Sequence, residues 1–255
     1  MTMLQVNSLS KKFGALIATD DVSFKVEKGE IVGLIGPNGA GKTTITNLVT
    51  GALPKTAGDV FFKGQSINRL EPYQIAGLGL TRTFQVVQPL EGMSVEENVL
   101  VGALFGKKNR NHDLKRAKQF TDEVLHLVGL EEKRSYMVSD ITLPDLKRME
   151  LARVLAMEPE IVFLDEVMAG LNPTEVDAAL ALVKKLRFER DLTIVYIEHI
   201  MRAVMDISDR IIVLHHGKKI VEGSPREVAS HPAVIEAYLG KRYADICKVR
   251  ETENG

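Results

Sequence analysis

A glycine-rich octapeptide has the composition of a phosphate-binding loop: Gly36-Pro37-Asn38-Gly39-Ala40-Gly41-Lys42-Thr43. It fits the pattern GxxxxGK[ST] and follows the apolar run 31–35. Backbone N–H groups of such a loop, together with the N-terminus of the next helix, bind phosphate. Lys42 would contact the β- and γ-phosphates, and the Thr43 hydroxyl would ligate Mg²⁺. The sequence therefore predicts a nucleoside triphosphate site from Gly36 to Thr44.

Two adjacent carboxylates follow a second apolar run. Asp165 and Glu166 come directly after residues 161–164, which are Ile, Val, Phe and Leu. Because open α/β sheets bind ligands at the carboxyl ends of their strands, Asp165 could hold Mg²⁺ through water. Glu166 could then act as general base on the attacking water. Two acids after a strand are often only a solvated helix N-terminus, but a phosphate loop in the same chain favours the catalytic interpretation.

Predicted strands and helices alternate along the chain and place these residues. Apolar and alternating runs predict strands at 4–6, 22–26, 31–35, 59–62, 161–164, 193–197 and 210–214. Between about 91 and 140 the pattern becomes helical, with Ala117, Phe120, Val124 and Val128 on one face and Gly129 placed as a C-cap. Strands separated by helices indicate a parallel sheet with crossover connections. The sequence therefore predicts an α/β core with a helical insertion.

Composition narrows the class of protein. The 255 residues suit one large α/β domain, and 45% hydrophobic with 26% charged residues is typical of a soluble globular chain. A net charge of −1 argues against a dedicated nucleic-acid binder. The single cysteine, Cys247, excludes an internal disulfide framework. No apolar run has membrane-spanning length, so we expect any membrane contact to be made through a partner.

Further motifs in the same order resemble the ATP-binding subunits of ABC transporters. Ala169-Gly170-Leu171-Asn172-Pro173 looks like the D-loop of that family, and His199, after the strand at 193–197, lies where the family carries its switch histidine. Thr83-Phe84-Gln85 looks like the Q-loop, whose glutamine reaches Mg²⁺ and the water. Phe13 stands where an aromatic ring stacks on adenine. The resemblance covers residues 4 to about 240 and implies that Lys42, Gln85, Glu166 and His199 are catalytic.

The resemblance also implies a fold, partners and a location. The fold is an α/β P-loop NTPase of the ABC type, a single domain at 1–240 with an antiparallel β subdomain near the N-terminus. A helical subdomain is inserted at about 87–157, and residues 241–255 form a frayed tail. A second ABC ATPase subunit, as a heterodimer, and transmembrane permease subunits are the implied partners. The cofactors are ATP and Mg²⁺, and the location is the cytoplasmic face of the inner membrane, reached through the partner only.

Finer features are most similar to importers of branched-chain amino acids. These are the stretch from Thr81 to Gln85, the D-loop, and the ending Ala233-Val234-Ile235-Glu236-Ala237-Tyr238-Leu239-Gly240. Urea importers and the lipopolysaccharide exporter carry similar signals, so the substrate and direction of transport stay open. A non-transport ABC ATPase, a metabolic P-loop kinase and a binding-only module are the remaining alternatives. A metabolic kinase has no use for a D-loop and a switch histidine. The complete set Lys42, Glu166 and His199 disfavours a binding-only module.

One motif departs from the family. Alignment on residues 148–153 places Ile141-Thr142-Leu143-Pro144-Asp145 where the signature usually reads Leu-Ser-Gly-Gly-Gln. Thr142 keeps the hydroxyl that contacts the γ-phosphate of the opposite subunit's ATP, but Pro144 has no N–H to donate. Asp145 is expected to turn a carboxylate towards that anion. The sequence therefore predicts a weak signature and, from it, two unequal ATP sites.

Overall fold

The computed structural model describes residues 1–107 and 112–239. Its strands are β1 (Thr2–Phe13), β2 (Leu16–Glu27), β3 (Ile31–Ile35), β4 (Ala57–Phe62), β5 (Gln65–Ser66), β6 (Leu80–Arg82), β7 (Ile161–Asp165), β8 (Thr193–Ile197), β9 (Arg210–His215) and β10 (Lys218–Gly223). Its α-helices are α1 (Lys42–Val49), α2 (Pro72–Leu78), α3 (Val95–Leu104), α4 (Leu114–Val128), α5 (Leu143–Ala156), α6 (Pro173–Arg190), α7 (Met201–Ile207), α8 (Pro225–Ser230) and α9 (Pro232–Leu239).

The chain divides into two compact units. The first comprises Met1–Val49, Leu53–Asn68 and the chain from Val195 onwards, and the second comprises Thr50–Ala52 and Arg69–Ile194. The boundary near residue 194 falls inside β8. The predicted single domain at 1–240 stays a prediction, and the predicted frayed tail at 241–255 lies outside the described residues.

The first unit is built from β structure of two kinds. Its antiparallel sheet has the strand order β2-β1-β4-β5, in agreement with the predicted antiparallel β region near the N-terminus. A second set of strands pairs β3 in parallel with β9, and β9 antiparallel with β10. All five residues of β3 are buried, as the continuous apolar run predicts for a strand covered on both faces. The loop that follows β3 is thereby anchored in a core.

Strands β1 and β2 are each twelve residues long, much longer than the runs that alternation predicts at 4–6 and 22–26. Their pairing carries register shifts between Val6 and Leu9 and again between Leu9 and Lys11. Ser8 there adopts a positive φ of 49°. A bulge interrupts the two-residue period of buried and exposed side chains, so the sequence pattern shows only the uninterrupted part of each strand.

The second unit carries the helices of the predicted 87–157 region. The helix α4 begins at the N-cap Asp113, whose side chain accepts hydrogen bonds from two backbone N–H groups, and ends at Gly129 in the left-handed conformation. Ser94 and Glu97 form a capping box at the start of α3. In the same unit β6 pairs in parallel with β7, which brings the segment after Arg82 beside the carboxyl end of β7.

None of the helices in the two described stretches combines the length and the apolar character that crossing a bilayer requires.

Candidate nucleotide site

The loop between β3 and α1 has a backbone that only glycine accommodates well. Gly36, Gly39 and Gly41 have φ values of 156°, 76° and 104°. A Cβ atom on Gly36 would overlap the carbonyl oxygen of Leu214, and one on Gly41 would lie 2.7 Å from that of Ala18. A Cβ on Gly39 would meet nothing within 4 Å. The loop is therefore held tightly at both ends and open in the middle, as a phosphate cradle requires.

The functional side chains of this loop lie at the start of α1. Lys42 is buried, and its Nζ donates to the carbonyl oxygens of Gly36 (2.7 Å) and Pro37 (3.2 Å). Thr43 is exposed and Thr44 is half-buried. Asn38 is exposed at the tip, whereas Ala40 is buried and accepts a hydrogen bond from the N–H of Gly217. The ammonium group of Lys42, inside the loop, is suited to bind phosphate. The exposed Thr43 beside it offers a hydroxyl that is suited to bind a cation.

Two other predicted residues of the first unit lie on its surface. Phe13 ends β1 and is 48% exposed, with Lys11 Nζ 4.9 Å from the centre of its ring. Its open face is compatible with stacking on a base. His199 follows β8 with an exposed imidazole, and its Nδ1 lies 3.9 Å from the carboxylate of the buried Glu198.

In the second unit, β7 ends in the predicted carboxylate pair. Asp165 is 3% exposed, and its N–H donates to the hydroxyl of Thr83, while the N–H of Thr83 donates to the carbonyl of Phe163. These bonds tie the segment after β6 to the end of β7. Glu166 has a φ of 50°, in the left-handed region that residues other than glycine rarely adopt. Such strain is common at functional sites, where the surroundings hold it in place.

The fold brings the predicted general base and the predicted Q-loop glutamine together. Gln85 Nε2 donates to Glu166 Oε2 at 2.8 Å, although 81 positions separate the two residues. A donor on one oxygen orients the carboxylate and leaves its proton-accepting chemistry in place. Within the second unit, this pair joins the predicted Q-loop to the end of β7.

Sequence reasoning missed two residues of α5 that contact the segments carrying Gln85 and Glu166. Lys147 Nζ donates to the carbonyl oxygens of Glu166 (3.3 Å) and Ala169 (2.5 Å). Glu150 Oε1 accepts from the N–H of Phe84 at 2.9 Å. Burial raises the pKa of Glu150, although that hydrogen bond and the nearby cations act to lower it. Nothing in the sequence marks Lys147 or Glu150, because their partners are backbone groups of distant segments.

Arg82 completes the polar surroundings of the second unit's half-site. Its guanidinium group stacks 4.5 Å from the centre of the Phe84 ring. Burial lowers the pKa of Arg82, although Asp165 and Glu150 act in the opposite direction. A cation beside the two acids offsets part of their mutual repulsion.

The expected orientation of Asp145 is wrong. Its side chain is 1% exposed and accepts from Lys133 Nζ and Arg148 Nη2, each at 2.5 Å, and from the Thr142 hydroxyl at 2.8 Å. Burial alone would raise the pKa of Asp145, but the hydrogen bonds from Lys133 and Thr142 and the charge of Arg148 outweigh it and lower the pKa. The carboxylate turns inward because two cations are available there, and it also occupies the Thr142 hydroxyl.

The other residues of the signature and the end of the D-loop lie at the N-termini of α5 and α6. Thr142 is the N-cap position of α5, and Pro144 lies in its first turn, where a missing N–H costs nothing. In the D-loop, Asn172 caps α6 by accepting from the N–H of Glu175. A Cβ on Gly170 would lie 3.3 Å from the Leu143 side chain, and Leu171 N–H donates to the Met168 carbonyl. Ala169 and Leu143 are half-buried and exposed, respectively.

Each unit carries side chains of the chemical type that ATP with Mg²⁺ requires. Magnesium prefers oxygen ligands and is usually held by one or two protein groups, with water and phosphates completing the shell. The hydroxyl of Thr43, the amide oxygen of Gln85 and the buried carboxylate of Asp165 are ligands of that kind. Across residues 1–107 and 112–239, no group of three or more His, Cys, Asp or Glu side chains could hold a metal by itself.

Fold and site together define an α/β P-loop NTPase. The ABC transporter family matches residues 19–169 of the chain, and a branched-chain amino acid ATP-binding cassette transporter family matches residues 218–244. With more than half of its length matched, the chain belongs to the ABC transporter family as one of its ATP-binding proteins. The predicted family and fold class are confirmed, and the individual site residues stay predictions.

Named relatives and a solved structure are similar over nearly the whole chain. The high-affinity branched-chain amino acid transport ATP-binding protein BraF of Pseudomonas aeruginosa is 38% identical, covering 94% of this chain and 98% of its own. The corresponding protein LivG of Escherichia coli K12 is 40% identical with the same coverage. The crystal structure of the ADP conformation of an ATP-binding cassette of an ABC transporter is 31% identical, with a TM-score of 0.83, covering 94% of this chain and 100% of that one.

Proposed function

We propose that this chain hydrolyses ATP with Mg²⁺ and drives the import of branched-chain amino acids through membrane permease subunits. The hydrogen bond between Gln85 and Glu166 carries the hydrolytic part of the proposal, because it orients a base at the end of β7. The substrate class is supported by the match at residues 218–244 and by the printed names of BraF and LivG. The chain lines up with 98% of each of those proteins.

Each residue of the candidate site has a separate role in this proposal. The loop Gly36–Thr44 and Lys42 bind the phosphates, and Phe13 stacks on the adenine. Thr43, Gln85 and, through water, Asp165 would hold Mg²⁺, which would neutralise phosphate charge. Glu166 accepts the proton of the attacking water, and Gln85 keeps its carboxylate in orientation. His199 contributes a further hydrogen-bonding group near the reacting phosphate.

The test of hydrolysis is the variant Glu166→Gln, which keeps the shape of the side chain but cannot accept the proton. We expect ATP binding to persist and turnover to fall by about 100-fold or more, within the range that general-base catalysis contributes. Glu189→Gln, on the exposed surface of α6, is the matched control and should hydrolyse ATP at the parental rate. Parental turnover in Glu166→Gln would show that another group is the base.

Dependence on Mg²⁺ is tested on the same preparation. We expect excess EDTA to abolish turnover and added MgCl₂ to restore it, since the phosphate charge is otherwise unneutralised. Turnover that persists in EDTA would remove Mg²⁺ from the proposal without affecting the assignment of Glu166.

The substrate is tested on the complex that co-purifies with the chain from detergent-solubilised membranes. Reconstituted into vesicles with its ATPase subunits facing the medium, that complex should move enclosed labelled leucine out into the medium when ATP is added outside, because import runs towards the side of the membrane that carries the ATPase subunits. Transport of labelled urea in place of leucine would assign the chain to a different transport system and leave its ATPase activity unchanged.

We also propose that the working ATPase is a heterodimer with unequal sites. Pro144 removes a backbone donor from the signature, and the Thr142 hydroxyl already donates its hydrogen bond to Asp145. A homodimer would place this weak signature over both ATPs. A partner with an intact signature would instead give one competent site, built by Lys42, Glu166 and His199 of this chain.

Repair of the signature tests the unequal sites. The double replacement Pro144→Gly and Asp145→Gln should raise the turnover of the lone chain, provided that a melting curve shows it still folded. Mixing the unmodified chain with its partner ATPase should also raise turnover. Brisk hydrolysis by the unmodified lone chain, with no change on repair, would contradict the proposal.

Finally, we propose that the chain lies at the cytoplasmic face of the inner membrane and is held there by the permease. A net charge of −1 gives the chain no overall positive charge to attract it to anionic lipid. The purified chain should therefore not float with protein-free liposomes at physiological salt but should float with proteoliposomes that contain the permease. Flotation with protein-free liposomes would overturn attachment through the partner.

A further inference from the structure

Helix α5 holds the backbone of both segments that carry the Gln85–Glu166 pair. On one side, Glu150 accepts from the N–H of Phe84, the residue before Gln85. On the other side, Lys147 donates to the carbonyl oxygens of Glu166 and Ala169. Lys147 and Glu150 are three positions apart, so they lie on the same face of the helix. The helix that begins with this chain's signature therefore also supports this chain's own base.

The contact of Lys147 falls on the strained residue itself. Glu166 has a φ of 50°, and an ordinary side chain keeps such a conformation only where its surroundings hold it. The Ala169 N–H closes the turn onto the Glu166 carbonyl at 3.1 Å. Lys147 adds an ammonium donor to that same carbonyl and to the Ala169 carbonyl, which ties the two ends of the turn together. Hydrogen bonds from a charged donor are the stronger kind.

We propose that Lys147 is a positioning residue for ATP hydrolysis: it holds the turn 166–169 so that the Glu166 carboxylate keeps its place beside Gln85. The proposal rests on the proposed function, in which Glu166 is the general base. It assigns to Lys147 no contact with nucleotide or water. A displacement of about 1 Å in a catalytic group can cost on the order of 100-fold in rate, so loss of this support should act on turnover.

The experiment compares variants in the intact membrane complex that carries the chain. Lys147→Met keeps most of the side-chain volume and removes the donor, whereas Lys147→Arg keeps a charged donor. Lys184→Met, at an exposed position of α6, is the matched control. We expect Lys147→Met to lower kcat between about 10- and 100-fold with the KM for ATP changed by less than about twofold. Lys147→Arg should recover most of the rate, and Lys184→Met should match the parent.

A double variant separates positioning from general damage to the fold. If Lys147 acts through Glu166, then Lys147→Met should slow the already slow Glu166→Gln variant by less than about twofold, because coupled changes are not additive. Parental kcat in Lys147→Met, an equal slowing in Lys147→Arg, or a full further loss in the Glu166→Gln background would each overturn the proposal. Parental turnover in Glu166→Gln alone would instead overturn the proposed function.

Discussion

The inward-facing Asp145 leads to a prediction about stability that the sequence did not suggest. Asp145→Asn keeps the shape of the side chain and removes its charge. The carboxylate is 1% exposed, but Lys133 and Arg148 are 41% and 43% exposed, so both cations can return to water. Removing one partner of a fully buried pair costs about 3–5 kcal/mol, and an exposed pair contributes about 0–1 kcal/mol. For this half-buried arrangement we expect a loss of about 2 kcal/mol, between the two limits.

The assay is urea unfolding of parent and variant, followed by a thermal melt. A loss of about 2 kcal/mol corresponds to a decrease in Tm of about 4–8 °C for a chain of this size. Asp122→Asn is the matched control, since Asp122 also pairs with an arginine at 2.6 Å but is 54% exposed. It should change the free energy of unfolding by less than about 1 kcal/mol. Equal effects of the two substitutions would refute the argument from burial.

The pH dependence of the same pair of proteins provides an independent check. The pKa of Asp145 is lower in the folded chain than its ordinary value, so its contribution to stability is present above the unfolded pKa of about 3.9. That contribution is lost as the pH falls through the folded pKa. The difference between parent and Asp145→Asn should therefore be constant from pH 7 to 5 and shrink below about pH 4. A difference that does not change with pH would mean that charge is not its source.

The remaining predictions concern backbone and caps. Gly36→Ala should strongly reduce the yield of folded chain, because the new methyl group overlaps the Leu214 carbonyl oxygen, whereas Gly39→Ala meets no neighbour and should cost only about 1–2 kcal/mol of backbone strain by urea unfolding. Ser94→Ala removes the capping box of α3 and should lower the free energy of unfolding by about 1 kcal/mol. A Gly39→Ala chain that unfolds as readily as Gly36→Ala, or a Ser94→Ala chain of parental stability, would contradict these two arguments.

Much of the candidate site could be predicted, because the phosphate loop and the carboxylate pair are each a pattern of residues close together in the sequence. The loop from Gly36 to Thr43 depends on glycine φ values and on a strand before it and a helix after it, all within residues 31–49. Asp165 and Glu166 follow β7 at the position where a buried run ends. The family resemblance implied that Gln85 and Glu166 are both catalytic, but the hydrogen bond between them was not predicted, since no local pattern relates residues 81 positions apart.

The signature shows where sequence reasoning failed. Placing Asp145 beside a phosphate assumed that a carboxylate in the first turn of a helix faces solvent. The direction of the side chain depends instead on Lys133 and Arg148, of which Lys133 lies outside α5 in a short 3₁₀ helix. Lys147 and Glu150 were overlooked for the same reason, since their contacts are with segments far away in the sequence.

The phosphate loop, the carboxylate pair and the locations of several strands could be predicted from the sequence, because these follow from short-range periodicity and from glycine stereochemistry, and the family followed from the resemblance of further motifs. The partners of the buried polar groups became visible only in the folded chain: Gln85 with Glu166, Asp145 with Lys133 and Arg148, and Lys147 with the turn after β7. The physical reason is that a buried polar group must find a partner wherever the fold offers one. That choice depends on distances between segments that the linear order of residues does not contain.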